Sequence, residues 1–194
     1  MLQIVNKVLN QVFGNKSDKD IKELTPLVAI INEHFSSYVP LTNDELRGKT
    51  AEFKKRIQDS IQEDQNKVDE LKAIIEKDEI DFAKKEEIYE EIDSIDKRIV
   101  EQIELALQEI LPEAFAVVKE TSRRFKENEE LEVTVTEMDS ELAATRKHIR
   151  IEGEKAFWNN TWEAAGVDVK WEMLHYDVQL IGGMVLHGGK IAEM

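Results

Sequence analysis

The chain has 194 residues, 41% of them hydrophobic and 35% charged, with a formal net charge of −15 at pH 7. That length suffices for one medium domain or a domain with an appendage, and the charge content points to long solvated helices. The negative balance argues against tight nucleic-acid binding, since phosphates are repelled. A sequence without cysteine excludes disulfides, thiolate catalysis and Cys-type zinc sites.

The N-terminal stretch places Leu2, Val5, Val8, Leu9, Val12 and Phe13 at helical spacing. It reads as a helix docked on its own domain, or as an amphipathic segment that meets a membrane surface or partner. Its polar face carries only Lys7 as a cation, which makes the membrane signal weak. Gln3, Asn6, Lys7 and Asn10 interrupt any signal-peptide core, and no apolar run reaches the roughly 18 residues of a bilayer span. A cytosolic protein is expected. Ser17 is placed to cap a second helix from Asp18 to about Phe35. Pro26 inside it predicts a kink, or a restart capped by Thr25.

Thr42-Asn43-Asp44-Glu45 reads as a capping box that opens a helix carrying Leu46, Phe53, Ile57 and Ile61. Residues 57–109 are charge-dense and contain neither Gly nor Pro. Ile57, Ile61, Val68, Leu71 and Ile75 recur at coiled-coil spacing, as do Ile88, Ile92, Ile95, Ile99, Ile103 and Ala106. The rhythm breaks around Lys77 to Lys85. Two antiparallel helices joined there would bury both stripes against each other; a single bent helix is the alternative. The charges read as a solvated face, with a partner-binding arm as the sharper reading.

Pro112 suits a first-turn position, so a helix starts or re-phases near Ile110. Over 126–170, Leu131 to Val135, His148 to Glu152 and Val167 to Trp171 alternate as half-buried strands do. Residues 138–146 read as a short helix or loop, and Phe157, Trp158 and Trp162 lie between the last two strands. A small antiparallel sheet with an aromatic cluster is predicted, the tryptophans being local core or a docking patch. Tyr176 to Leu186 reads as a helix with Val178, Ile181 and Val185 on one face. Gly188-Gly189 ends it, and Lys190 to Met194 reads as a buried strand.

Three runs carry a family resemblance. Leu41 to Arg56, Leu111-Pro112-Glu113-Ala114-Phe115-Ala116-Val117-Val118-Lys119-Glu120, and His175 to Met194 with its Asp177-Val178-Gln179-Leu180-Ile181-Gly182-Gly183-Met184 core resemble the SecA family. Those proteins are the ATPase motors of bacterial preprotein export. The resemblance covers about residues 1–56, 110–125 and 171–194, with two insertions between. Those two intervening regions, read from periodicity, add the long helical hairpin and the small antiparallel sheet. Together they give a mainly α fold with a small β part (α+β), in which the resemblance implies the N-terminal helices and the first helix and strand of a RecA-like P-loop motor domain. The implied divisions are 1–56 (N-terminal helices), 57–109 (inserted hairpin), 110–125 (motor-domain helix), 126–170 (inserted β-rich region) and 171–194 (start of the nucleotide-binding domain).

The resemblance further implies ATP as ligand, with Gln179 as the adenine reader. A carboxamide offers one acceptor and two donors, and it can pair with the N6/N7 edge of adenine through two hydrogen bonds. Tyr176 is placed to lie against the base, and Met173 matches the apolar position three residues earlier. The full-length motor would use Mg, and its partners would be the SecYEG translocon and preprotein. An acidic phospholipid surface and a second protomer are further partners implied for the N-terminal helices, with nucleic acid excluded. The location would be cytoplasmic, peripheral at the inner face of the bacterial cell membrane.

Gly183 to Ile191 superficially resembles a Walker A loop but has Gly189 where Lys should stand and no following Ser or Thr. No catalytic residue and no metal ligand is assigned, and His34, His148, His175 and His187 show no ligand spacing. The family would continue past Met194 into its phosphate loop. The isolated chain is therefore expected to be an N-terminal fragment that binds ATP weakly and does not hydrolyse it, and whether it counts as an enzyme is left open. The alternative is a non-catalytic helical interaction module that docks partner proteins.

Overall fold

The computed structural model of the chain describes residues 16–76 and 81–192. The apolar pattern at 2–13 lies outside the described residues, as do positions 77–80 of the expected hairpin turn. In chain order the elements are α1 (Lys16–Tyr38), α2 (Asn43–Ile75), α3 (Phe82–Glu127), β1 (Glu130–Thr134), α4 (Glu137–Ala143), β2 (Ile149–Glu152), β3 (Lys155–Asn159), β4 (Thr161–Ala164), β5 (Val167–Lys170) and α5 (Asp177–His187). This is the α+β class. The chain forms two compact units, one of residues 47–114 and one of the residues before and after them.

α1 is one helix despite Pro26. Thr25 caps no restart; its hydroxyl donates to the Ile21 carbonyl at 2.7 Å. Val28 and Ile31 on the inner face are buried. α2 opens at the expected capping box. The Thr42 N–H donates to Glu45 Oε2 at 2.7 Å, and the Glu45 N–H donates to Thr42 Oγ1 at 3.2 Å.

In the unit of residues 47–114, the two apolar stripes meet. Val68 and Leu71 of α2 pack with Ile88, Ile92, Ile95 and Ile99 of α3, flanked by Ile61, Ile75 and Ile103. Each such side chain contributes about 1.5–3 kcal/mol on full burial. Charged pairs run beside the seam, Arg98 Nε to Asp64 Oδ2 at 3.0 Å and Lys67 to Glu91 at 2.6 Å. Exposed pairs of this kind add little, so the seam carries the unit. Pro112 does not start a helix. It is buried inside α3, which runs unbroken from Phe82 to Glu127. Packing around Ile110 and Ala116 outweighs the one backbone hydrogen bond that proline forfeits.

The β region holds two sheets where one was expected. β1-β3-β2 form a three-stranded antiparallel sheet, and β4-β5 pair separately. The alternation pattern revealed neither β4 nor the central strand β3. Its run Ala156-Phe157-Trp158 is apolar on both faces: Ala156 is fully buried on one, and the Arg150 guanidinium covers the Phe157 ring at 4.3 Å on the other. β4 and β5 are joined by the two-residue loop Ala165-Gly166, in which both residues have positive φ, 51° and 80°. That is the I′ geometry matched to strand twist.

α4 begins at a second capping box, with the Thr136 N–H donating to Asp139 Oδ2 at 2.8 Å. Asp139 is fully buried and also accepts from Trp158 Nε1 at 3.0 Å, which ties the helix to β3. α5 buries Leu180 and Met184, whereas Val178 is exposed. The inward face is thus rotated from the expected Val178-Ile181-Val185 stripe. Gly189, at φ 70°, ends α5. Its N–H donates to Leu186 O, and the Lys190 N–H donates to Val185 O, the bond pair of a Schellman stop. Residues 190–192 carry no regular structure. The strand expected over 190–194 is therefore not among the five described, and positions 193–194 lie outside the described residues.

Candidate nucleotide-recognition site

The three residues singled out for base recognition lie at and just before the start of α5. The chain reaches them from β5 through Trp171. The Trp171 N–H donates to Asn160 O at 2.8 Å, and its indole N–H donates to Met173 O at 3.0 Å. Tyr176 occupies the N-cap in extended conformation, with φ −78° and ψ 158°. A phenol cannot reach back to cap its own helix, so the cap comes from the third helical residue. Gln179 Oε1 accepts from the Tyr176 N–H at 2.8 Å. This is the returning half of a capping box. It fixes which end of the carboxamide meets the backbone, and it leaves the oxygen a second lone pair and the nitrogen two donors.

The ring of Tyr176 is 74% exposed and Met173 40% exposed. Both line a cavity of about 640 Å³, with Phe35 of α1, Lys119 of α3, His175 and Asp177 among its walls. Gln179 is half-buried and is not among the wall residues; it joins the others through the Tyr176 backbone. The site offers an exposed aromatic face, a thioether and an anchored carboxamide, which is the chemistry a planar heterocycle needs. Asp177 puts a negative charge in the first turn of α5. That suits the helix, and the cavity walls carry Lys126 and Glu172 besides Lys119 and Asp177.

Sequence reasoning missed the residues behind this site. Lys119 lies in the Leu111 to Glu120 motif but was given no role. It is 8% exposed, and its ammonium donates to Asn32 Oδ1 at 2.7 Å and lies 3.7 Å from Asp177. The Phe35 ring centroid is 5.2 Å away. Asn32 Nδ2 donates to Asp177 Oδ1 at 3.3 Å. His175 Nδ1 is buried without a hydrogen-bond partner. Burial and the nearby Lys119 charge both push the His175 pKa below the ordinary value.

All three tryptophans of the chain, Trp158, Trp162 and Trp171, line a second cavity of about 370 Å³ beside Phe125 and His148. Trp158 and Trp162 of the expected aromatic cluster thus line one cavity with Trp171, which bridges to Met173, whereas Phe157 lies on the other face of β3 under Arg150. The Walker-like run Gly183 to Ile191 spans the end of α5 and its Schellman stop. It cannot present a row of N–H groups to phosphate. Among the described residues, no group of three or more His, Cys, Asp or Glu is placed to hold a metal ion. No described helix is long and apolar enough to cross a membrane.

A profile of the SecA DEAD-like domain matches residues 9–194. The Protein translocase subunit SecA of Bacteroides fragilis is 51% identical over 189 residues, covering 97% of this chain and 17% of that protein. Its namesake from Phocaeicola vulgatus is 51% identical over 190 residues, again 97% of this chain and 17% of the relative. In Flavobacterium psychrophilum the identity is 46% over 193 residues, 100% of this chain and 17% of the relative. The chain therefore spans about a sixth of the length of the curated relatives it matches. No solved structure matches it. With the matched profile extending over residues 9–194, the chain belongs to the SecA DEAD-like domain family.

Proposed function

We propose that this chain is the N-terminal part of a motor that couples ATP hydrolysis to preprotein export through the SecYEG channel, and that it supplies the adenine-recognition motif. Gln179 would exchange two hydrogen bonds with the adenine edge, Tyr176 would lie against the base, and Met173 would close its apolar side. The phosphates, and the magnesium that accompanies them, would be held by residues of the full-length protein other than those described. ATP is here the substrate of the whole motor, and the isolated 194 residues would not turn it over.

The observation that carries this reading is the anchored Gln179 carboxamide beside the exposed Tyr176 ring. Family membership supports it, as do relatives that bear the name of a translocase subunit. A location at the cytoplasmic face of the membrane, contact with acidic lipids and pairing with a second protomer belong to the same proposal. So do the divisions at residues 56, 109, 125 and 170.

The test is equilibrium binding of ATP and GTP to the full-length protein, wild type and Gln179→Ala. A bidentate amide–adenine pair is worth about 1–3 kcal/mol of discrimination, so the variant should lose most of its ATP preference. An unchanged preference would refute the assignment.

A further inference from the structure

We propose that Lys119 is a positioning residue for base recognition, setting the first turn of α5, and with it the Gln179 carboxamide, through Asn32 and Asp177. This rests on the adenine reading above.

The geometry is a relay across three helices. Lys119 of α3 donates to Asn32 Oδ1 on α1 at 2.7 Å, and Asn32 Nδ2 donates to Asp177 Oδ1 on α5 at 3.3 Å. The Asn32 carboxamide thus uses both ends, and the lysine charge lies 3.7 Å from the same Asp177 oxygen. Asp177 is the first residue of α5, immediately after the Tyr176 cap and two residues before Gln179. Holding Asp177 holds the turn that the Gln179–Tyr176 bond closes.

A cation taken out of water is costly unless its partners compensate. The Lys119 side chain is 10% exposed, and its charged partner Asp177 is 63% exposed. A stabilising pair alone would not need this asymmetry. It fits an arrangement in which a fixed interior charge pins a helix end that must stay at the surface, beside the cavity lined by Met173 and Tyr176. The Phe35 face packs over the same ammonium and limits where it can go.

The experiment measures ATP and GTP affinity for the full-length protein as wild type, Q179A, K119M, K119R and D177A. K119M should lower the ATP-over-GTP preference by roughly fivefold or more, part of what the amide pair supplies. K119R should restore it, because a guanidinium can donate to Asn32 and Asp177 alike. D177A removes an exposed group without opening the interior. It should lower the preference in the same direction even if K119M fails to fold. A preference unchanged in D177A, or a K119M that weakens both nucleotides equally, overturns the proposal while leaving Gln179 as the reader. A preference unchanged in Q179A overturns the adenine reading itself, and this inference with it.

Discussion

The ring of Phe115 lies so close to Gly183 that a Cβ at position 183 would sit 2.7 Å from Cε1 and 3.1 Å from Cζ of that ring. Here two of the quoted motifs, far apart in the chain, meet in space: the Leu111 to Glu120 run on α3 and the Asp177 to Met184 run on α5. The glycine is needed for close approach, since neither the helix nor its end asks for glycine at that point. Gly183→Ala should therefore destabilise the domain by about 1–3 kcal/mol through overpacking, read as a lower urea midpoint. Adding Phe115→Leu should recover part of the loss by removing the ring edge. Full stability in the single variant would contradict this packing account.

Glu120 is fully buried in α3. It accepts from Arg123 at 2.7 Å and from Arg124 at 2.8 Å. Arg124 in turn donates to Tyr38 O, Leu41 O and Asn43 Oδ1, which fixes the connection between α1 and α2. Glu120→Ala should cost about 3–5 kcal/mol, because the interior guanidinium loses its carboxylate.

The same group sets an acid limit. Burial alone would raise the Glu120 pKa, but the hydrogen bonds and charges of Arg123 and Arg124 outweigh it and hold the carboxyl below its ordinary value of 4.5. Its contribution is therefore whole above about pH 4.5 and drains away as pH falls through the lower folded value. Denaturant midpoints measured from about pH 6 down to about pH 3 should fall more steeply for wild type than for Glu120→Gln. Parallel curves would show that Glu120 is not responsible.

Ala165 stands at φ 51° in the β4–β5 turn, followed by Gly166 at φ 80°. A left-handed alanine costs about 1–2 kcal/mol, and asparagine is the residue this turn position prefers. Ala165→Asn should raise the melting temperature of the domain, by up to about 1 kcal/mol in stability. A lower melting temperature would mean that the alanine methyl makes a contact that matters more than the backbone strain.

Much of this was legible in the sequence because the signals were local. The Thr42–Glu45 box, the Gly188-Gly189 stop and the two isoleucine stripes need only nearby residues to declare themselves, and each is found where expected. Local rules misled where tertiary packing decided. Pro112 reads as a helix start, yet it is embedded in a helix of 46 residues. The apolar face of α5 was misjudged because Val178 and Leu180 are equally apolar, and only the neighbours choose between them. β3 escaped because Ala156 is a poor strand former made acceptable by complete burial. At the site, Gln179, Tyr176 and Met173 were nameable from a resemblance. Lys119, Asn32 and Phe35 were not, because no spacing along one helix shows that α1, α3 and α5 converge.

The most direct test of the central claim separates the two jobs of Gln179. As a cap, it needs only an oxygen for the Tyr176 N–H; as an adenine reader, it also needs an N–H donor for N7. Gln179→Glu keeps the first and removes the second. ATP and GTP affinities and the melting temperature of the full-length protein should show a lost adenine preference at unchanged stability. An intact preference in a folded Gln179→Glu protein would mean that the carboxamide serves the helix and not the nucleotide.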